Sequence, residues 1–168
     1  MNLSAKVLTV SDRVSAGEGV DTSGPVLVAV LERAGFVVIE LRLVPDGLEP
    51  VASALREMAH DFRGLIVTTG GTGFSPRDLT PEATLQVLER EAPGFGERMR
   101  TTHPLGPLSR SRAGTVGECL IINTPGSPRG AEECLTSLLE LLPHALEVLV
   151  GSVEHHPPAT GGNTATSS

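Results

Sequence analysis

Hydrophobic residues follow two periods along the chain. Short runs rich in Val, Leu and Ile, bounded by glycine, proline or polar residues, predict buried strands at residues 6–10, 36–44, 65–68 and 118–123. Between these runs, apolar residues recur at helical spacing, as at Val51, Leu55 and Met58. This second period predicts helices at residues 24–34, 49–60, 81–90, 93–101 and 131–150, the last bent near Pro143.

Strands that alternate with helices predict an α/β protein, here a single three-layer α/β/α domain with a mostly parallel sheet. The first strand should lie near the centre of the sheet, beside the third. We assign this domain to residues 1–153. Residues 154–168 are poor in apolar side chains and rich in Thr, Ser and Gly, so we predict a disordered C-terminal tail.

Composition narrows the class of protein. A chain of 168 residues suits one domain, and the absence of Trp and Tyr means that aliphatic side chains form its core. The net charge of −7 argues against a nucleic-acid partner. It does not argue against a local nucleotide site, where Arg must supply the positive charge because Lys6 is the only lysine.

Targeting and cysteine usage point to the same compartment. No signal peptide is visible, and no apolar run approaches the roughly 20 residues of a membrane span. Cys119 and Cys134 lack the spacing of metal ligands, so we expect both to be buried, reduced thiols. We therefore expect a soluble cytoplasmic protein with no membrane partner.

Residues 68–83, TTGGTGFSPRDLTPEA, concentrate the candidate chemistry. Three glycines follow the third strand and permit positive φ angles and a close approach to a ligand. Thr80 is predicted to cap a helix that Pro81 begins, with Glu82 favoured by the helix dipole. A strand, a glycine turn and a helix N-terminus suit an anionic ligand such as a phosphate. A glycine turn that binds nothing is the open alternative.

Known phosphate motifs do not match this turn. A Gly-Lys-Ser/Thr ending is missing, which argues against a P-loop ATPase, and the dinucleotide spacing of glycines is missing as well. Polar segments nevertheless follow each of the four strands, at residues 9–12, 45–47, 69–78 and 123–129. Ligands of open α/β sheets bind at the carboxyl ends of the strands, so this edge is the predicted active site. Arg110 and Arg112, in the loop 103–112, either reach an anion or lie in a solvated connection.

Several separated motifs resemble the MoaB/Mog family of molybdenum-cofactor biosynthesis, the molybdopterin adenylyltransferases. The resemblance spans most of residues 5–150 and rests on T-x-S-D with Asp21 and Gly24, on Pro45-Asp46, TTGGTG, Arg77-Asp78, Thr80-Pro81-Glu82-Ala83, Pro93-Gly94, Ser111 with Ala113-Gly114, and Asn123 with PGSP. It implies transfer of AMP from ATP to molybdopterin with release of pyrophosphate, assisted by Mg²⁺. It also implies a homotrimer or a hexamer of two trimers, with other proteins of the pathway as partners; the apolar helix 135–150 adds weak support.

The same resemblance implies a site. Asp46 and Asp78 would be the catalytic residues and the ligands of Mg²⁺, which prefers carboxylate and phosphate oxygens. Backbone N–H groups of the turn would hold the phosphates, and further residues would line the same cleft. The turn residues are Gly70, Gly71, Thr72 and Gly73; the lining residues are Ser11, Asp12, Thr69, Ser127 and Arg129.

Two departures and two alternatives stay open. Thr124 and Arg129 stand where relatives commonly have Leu and Lys, and Asp46 and Asp78 could be ordinary turn and helix-entry residues. One alternative is a non-catalytic molybdopterin-binding protein. The other is a CinA-like nucleotide pyrophosphatase domain, although such domains carry Gly-Gly-Leu-Gly with paired aspartates, whereas Asp78 here is single and preceded by Arg77.

Overall fold

A six-stranded sheet forms the centre of the molecule. The computed structural model describes residues 3–151, so the predicted tail at 154–168 lies outside the described residues. The strand order is β2-β1-β3-β6-β5-β4. The first four strands in this order run parallel, and β5 and β4 are antiparallel to their neighbours. The strands are β1 Ser4–Val10, β2 Val37–Val44, β3 Gly64–Thr69, β4 Arg90–Glu91, β5 Ala113–Val116 and β6 Cys119–Thr124.

Helices cover both faces of this sheet. The helices are α1 Asp12–Ser15, α2 Ser23–Arg33, α3 Leu48–Ala59, α4 Thr80–Val87, α5 Pro93–Arg100, α6 Pro128–Thr136 and α7 Leu142–Leu149. Buried residues of α2, α5, α6 and α7 pack on one face, and those of α3 and α4 pack on the other. No helix in the described range is long and apolar enough to cross a membrane.

Strand β3 shows why the sheet has this three-layer form. All six of its residues are buried, and successive side chains point to opposite faces. Leu65 and Val67 therefore join the cluster under α2 and α6, whereas Ile66 joins the cluster under α3 and α4. A strand buried on both faces is typical of parallel sheets. The predicted α/β/α class and the central place of β1, between β2 and β3, are confirmed.

Three predicted elements need correction. The helix predicted at 131–150 is two helices, α6 and α7, separated by residues 137–141. Pro143 lies in the first turn of α7, where its missing N–H costs no helical bond, so it starts a helix rather than bending one. The helix predicted to reach residue 90 ends at Val87, because the chain becomes extended at Leu88 and then enters β4. Strands β4 and β5 were not predicted.

Candidate active site

The parallel strands deliver four loops to one edge of the sheet. Thr9 pairs with Thr69, and Thr69 pairs with Thr124, so β1, β3 and β6 end at the same level. Val10 pairs with Val44 at the end of β2. The segments that follow these strands carry most of the predicted site residues, and the edge that the sequence indicated is the one where they meet.

The glycine turn after β3 is shaped by backbone contacts that leave no room for side chains. Gly70 has φ +98° and Gly71 has φ +65°. A Cβ atom on Gly70 would lie 2.2 Å from the carbonyl oxygen of Val10, and one on Gly71 would lie 2.3 Å from Oγ1 of Thr80. Only glycine fits both the conformation and the space. A Cβ atom on Gly126, in the loop after β6, would lie 3.2 Å from the Cα atom of Gly70.

Hydrogen bonds within the protein occupy the carbonyl groups of this turn but not all of its N–H groups. The carbonyl oxygens of Gly71 and Thr72 accept from the N–H groups of Thr80 and Arg110, each at 3.0 Å, and that of Gly73 accepts from Arg110 Nε at 2.8 Å. Within residues 3–151, the N–H groups of Gly71, Thr72 and Gly73 have no protein acceptor. The N–H of Gly70, by contrast, donates to the Thr124 carbonyl at 3.3 Å. Three consecutive N–H donors therefore remain for a ligand.

A cavity of about 470 Å³ opens on one side of the turn. Six of the predicted residues line it: Gly71, Thr72, Gly73, Asp78, Ser127 and Arg129. Its other walls come from α5, the loop after it and α6, and the polar residues there are Arg100, Thr102, His103, Ser109, Ser111, Glu133 and Cys134. None of these polar residues was predicted as a site residue; Ser111 entered only as part of the family motif.

Ser127 and Arg129 belong to the start of α6. Ser127 caps this helix, because its Oγ accepts from the N–H of Gly130 at 3.1 Å. Arg129 is exposed and donates to Glu133 at 2.7 Å, one helical turn further on. That carboxylate raises the pKa of Arg129 above its ordinary value. Both side chains thus have protein partners while they border the cavity.

An acidic cluster lies on the other side of the turn and does not line the cavity. The N–H of Asp12 donates to Asp46 Oδ2 at 2.8 Å, and the N–H of Asp46 donates to Asp12 Oδ1 at 3.1 Å. Arg77 completes the cluster by donating to both carboxylate oxygens of Asp12, at 2.5 and 2.9 Å. This hydrogen-bonded guanidinium lowers the pKa of Asp12 below its ordinary value.

Two further predicted residues, Ser11 and Thr69, have structural partners. Ser11 caps α1, with its Oγ accepting from the N–H of Val14 at 3.2 Å. Thr69 is fully buried, and its Oγ1 donates to the carbonyl oxygen of Pro125 at 2.7 Å. The structure therefore divides most of the predicted site residues into two groups. One group, which includes Gly71, Thr72 and Gly73 of the turn, lines the cavity, and the other, Ser11, Asp12 and Asp46, follows β1 and β2.

Asp46 and Asp78 flank the turn from these two groups. A Cβ atom on Gly71 would lie 3.2 Å from Asp46 Oδ1, and one on Gly73 would lie 2.9 Å from Asp78 Oδ2. Burial raises the pKa of Asp46 above its ordinary value, and the charges of Asp12 and Asp78 raise it further. Because Asp12 is already paired with Arg77, the negative charge of Asp46 and Asp78 is only partly compensated.

Oxygen donors at this point suit Mg²⁺. The two carboxylates lie beside a turn that offers N–H groups for phosphate, and Mg²⁺ is commonly held by one or two carboxylates together with phosphate oxygens and water. In the described part of the chain, no group of three or more His, Cys, Asp or Glu side chains is placed to bind a metal. A site built from two carboxylates and a bound phosphate is the arrangement that these residues fit.

Thr80 is not the helix cap that the sequence predicted. Helix α4 begins at Thr80, the cap position is Leu79, and no side chain caps the helix. The Thr80 side chain is fully buried under Gly71, and its Oγ1 has no hydrogen-bond partner among the described residues. A buried hydroxyl without a partner is uncommon, and this one lies directly beneath the glycine turn.

Comparison with known proteins identifies the family of this chain. Residues 6–144 match the family described as "probable molybdopterin binding domain". The chain is 39% identical over 153 residues to the molybdopterin adenylyltransferase of Helicobacter pylori strain J99, with 87% of each chain covered. It is 44% identical over 137 residues to that of Haemophilus influenzae, covering 77% of this chain and 69% of the relative.

Solved structures agree with the sequence relatives. The crystal structure of the molybdopterin biosynthesis enzyme MoaB from Thermus thermophilus superposes with a TM-score of 0.84 at 44% identity, covering 89% of this chain and 97% of that one. CinA from Thermoplasma acidophilum reaches a TM-score of 0.65 at 21% identity, covering 84% and 98%, and shows a shared fold alone. With the match over residues 6–144, this chain belongs to the molybdopterin-binding domain family to which its motifs pointed.

Proposed function

We propose that this protein is a molybdopterin adenylyltransferase, which transfers AMP from ATP to molybdopterin and releases pyrophosphate. The observation that carries the proposal is the polarity of the glycine turn: three of its N–H groups have no protein acceptor within residues 3–151, the turn lines the cavity, and the carboxylates of Asp46 and Asp78 flank it. Such a turn suits the phosphates of a nucleotide. The relatives named molybdopterin adenylyltransferase support the assignment of the reaction.

Each side of the turn has a separate task in this proposal. The N–H groups of Gly71, Thr72 and Gly73 would donate to phosphate oxygens, and Ser127 and Arg129 at the start of α6 would border the pterin in the cavity. Asp46 and Asp78 would hold Mg²⁺, which when bound stabilises negative charge on the phosphate oxygens. Gly70 would shape the turn, since its N–H is bonded to Thr124.

One measurement separates an enzyme from a binding protein. With ATP, molybdopterin and Mg²⁺, we expect pyrophosphate to be released in proportion to the amount of protein. Each of the three components should be required, and removal of the metal with a chelator should stop release. Tight binding of molybdopterin without pyrophosphate release would contradict the proposed activity and identify a pterin-binding protein.

We further propose a homotrimer, alone or as two trimers in a hexamer. The apolar segment 135–150 gives only weak support, because Leu135, Leu138, Leu142 and Leu146 are buried in the chain's own core, while Leu141 and Val148 are exposed by 44% and 43%. Strand β2 gives stronger support. It lies at the edge of the sheet and exposes four apolar side chains by 40–56%, on Val37, Ile39, Leu41 and Leu43. A long apolar edge strand promotes aggregation unless it is covered, and a second copy of the chain would cover it.

Replacing Leu41 by Arg should break this assembly. A charge in the middle of the apolar strand would be desolvated at the contact, so light scattering should give a mass near the 17.5 kDa of one chain. Leu85→Arg, at a side chain of α4 that is 37% exposed, is the matched control and should keep the wild-type mass. A wild-type protein with the monomer mass at micromolar concentration would contradict the trimer.

The cytoplasm is the proposed compartment, with other proteins of molybdenum-cofactor biosynthesis as partners. Cys119 and Cys134 are both buried and unbridged, as the sequence predicted. Burial raises the pKa of Cys119 to about 12, which keeps this thiol protonated and unreactive at neutral pH. Thiols of this kind suit a reducing compartment.

A further inference from the structure

The loop that carries Asp78 has little packing of its own. Residues 73–79 connect the glycine turn to α4, and Phe74 within the loop is 69% exposed. Internal hydrogen bonds are local: the N–H of Ser75 donates to Asp78 Oδ2 at 2.9 Å, and the N–H of Asp78 donates to the carbonyl oxygen of Ser75 at 2.9 Å. These bonds fix the shape of the loop but not its position relative to β2, which delivers Asp46.

Arg110 fixes one side of this loop. Its Nε donates to the carbonyl oxygen of Gly73 at 2.8 Å and its Nη2 donates to that of Asp78 at 2.5 Å. The third nitrogen, Nη1, donates to the carboxylate of Glu82 in α4. One guanidinium thus joins both ends of the loop to the helix that follows, and each of its nitrogens has a protein acceptor. The sequence left open whether Arg110 binds an anionic ligand or lies in a solvated loop. Its three protein acceptors fit neither alternative.

Arg77 fixes the opposite side. It neighbours Asp78 in the chain, and its guanidinium reaches across the edge of the sheet to the segments that follow β1 and β2. There it contacts the Asp12 carboxylate and donates to the carbonyl oxygen of Asp46 at 2.6 Å. Asp46 and Asp78 lie 32 residues apart in the sequence. Because Arg77 directly precedes Asp78 in the chain, its bond to the Asp46 carbonyl oxygen ties the loop that carries Asp78 to the segment that carries Asp46.

We propose that Arg77 and Arg110 are positioning residues that set the distance and orientation of the Asp46 and Asp78 carboxylates. This inference rests on the proposed role of the two carboxylates in holding a divalent cation. Neither arginine needs to touch the substrate or the metal, because each acts through the backbone of the loop. Carboxylates held in place in this way bind a cation without first having to be ordered.

Matched arginines elsewhere in the chain make a controlled test possible. Arg63 pairs with Glu118 through two hydrogen bonds, at 2.6 and 3.0 Å, with side-chain exposures of 60% and 47%; the values for Arg77 and Asp12 are 60% and 44%. Arg112 is two residues from Arg110 and makes a surface pair with Glu91 at 3.4 Å. Arg77→Met should therefore be compared with Arg63→Met, and Arg110→Met with Arg112→Met.

Two measurements on the full chain without substrates read out the proposal. Mn²⁺ binding, followed by electron paramagnetic resonance, should weaken by about 10-fold or more in Arg77→Met and Arg110→Met and stay within about twofold in the controls. Hydrogen exchange of the bonded amides of the loop, those of Ser75, Asp78 and Leu79, should accelerate in the same two variants only, while thermal unfolding shows that all four remain folded. Arg77→Lys should recover only part of the affinity, because one ammonium cannot form the planar bridge to Asp12 and Asp46.

The outcomes also distinguish this inference from the proposed function. Wild-type Mn²⁺ affinity together with wild-type exchange in the two folded variants would overturn the positioning role, and so would equal losses in the controls. If the wild-type protein binds no Mn²⁺ and releases no pyrophosphate, the proposed function fails. In that case, faster loop exchange in the Arg77 and Arg110 variants alone would still support the positioning of this loop by the two arginines. Unchanged exchange would overturn it.

Discussion

The amino-terminal and the carboxyl-terminal ends of the parallel strands form two edges of the sheet. Each carries nearly the same ion pair, in different surroundings. At the amino-terminal edge, Arg63 before β3 pairs with Glu118 before β6. At the carboxyl edge, Arg77 pairs with Asp12 with the same two-bond geometry and similar exposure. In each case the pair lowers the pKa of its carboxyl group below the ordinary value. The difference lies in the neighbour: at the carboxyl edge, Asp46 stands beside the pair and its own pKa is raised.

This difference shows how a folded surface can keep carboxylate charge available for a cation. An exposed pair of this kind contributes little to stability, so stability does not explain its position. At the carboxyl edge, the pair neutralises Asp12 and leaves the charges of Asp46 and Asp78 only partly compensated, next to three N–H groups that have no acceptor among residues 3–151. At the amino-terminal edge, the pair links two loops. Comparable chemistry thus ties the chain together at one edge and, in our proposal, prepares a site at the other.

The largest expected effect comes from removing the charge of Asp78. Asp78→Asn keeps the size of the side chain but loses the charge that would attract Mg²⁺. Turnover in pyrophosphate release should fall by at least ~100-fold, a barrier increase of ~2.7 kcal/mol, and Asp46→Asn should behave likewise. Asp61→Asn is the control, because Asp61 lies before β3 at the other edge with its side chain 90% exposed. Near-normal release in both Asp46→Asn and Asp78→Asn would rule out the two-carboxylate mechanism.

A second effect, on stability rather than on turnover, should separate the glycines of the two edges. Gly71→Ala adds a Cβ atom 2.3 Å from Thr80 Oγ1 at φ +65°. The clash and the strained φ together should lower the free energy of unfolding by about 2–4 kcal/mol in urea titrations. Gly117, between β5 and β6, has φ +53° and open space around the added atom. Gly117→Ala should therefore cost only about 1 kcal/mol, the penalty for φ alone. Equal losses would show that close packing does not distinguish the turn.

The smallest expected effect concerns stability as a function of pH. Because the folded state raises the pKa of Asp46, its protonated form favours folding, and this contribution is lost as pH rises through the raised pKa. At pH 7, Asp46→Asn should thus melt at the same or a slightly higher temperature than the wild type, despite being inactive. The gap should close at a pH below the ordinary carboxyl value. A clear loss of melting temperature at pH 7 would mean that the negative charge of Asp46 stabilises the fold.

Local sequence patterns predicted the strands whose environment matches their composition. Strand β3 is aliphatic and fully buried, so composition and environment coincide. Strand β4 consists of Arg90 and Glu91, two exposed charged residues that form a strand only because they pair with Thr115 and Gly114. Nothing in their own composition indicates a strand, and the pairing depends on long-range contacts that a local pattern does not contain.

Sequence patterns indicated the cavity residues that directly follow a strand and missed those that come from elements distant in the sequence. The glycine turn and Asp78 follow β3 without interruption, so their position could be inferred. Arg100 and His103 line the cavity from α5 and the loop after it. Neither residue follows the end of a predicted strand, so the sequence pattern did not indicate them. Thr80 shows a different failure: Thr-Pro-Glu has the composition of a helix start, yet tertiary packing places the Thr80 hydroxyl under Gly71 instead.

The polarity of the glycine turn also dictates what an inhibitor of this protein should contain. The carbonyl oxygens of Gly71, Thr72 and Gly73 are already bonded, while their N–H groups find no acceptor in the part of the chain that the structure describes. A compound aimed at the turn should therefore present acceptors, such as a sulfonate, a carboxylate or a phosphonate, and should avoid amines and hydroxyl-rich groups there. A fragment screen against this turn should recover acids and discard bases of the same size and shape.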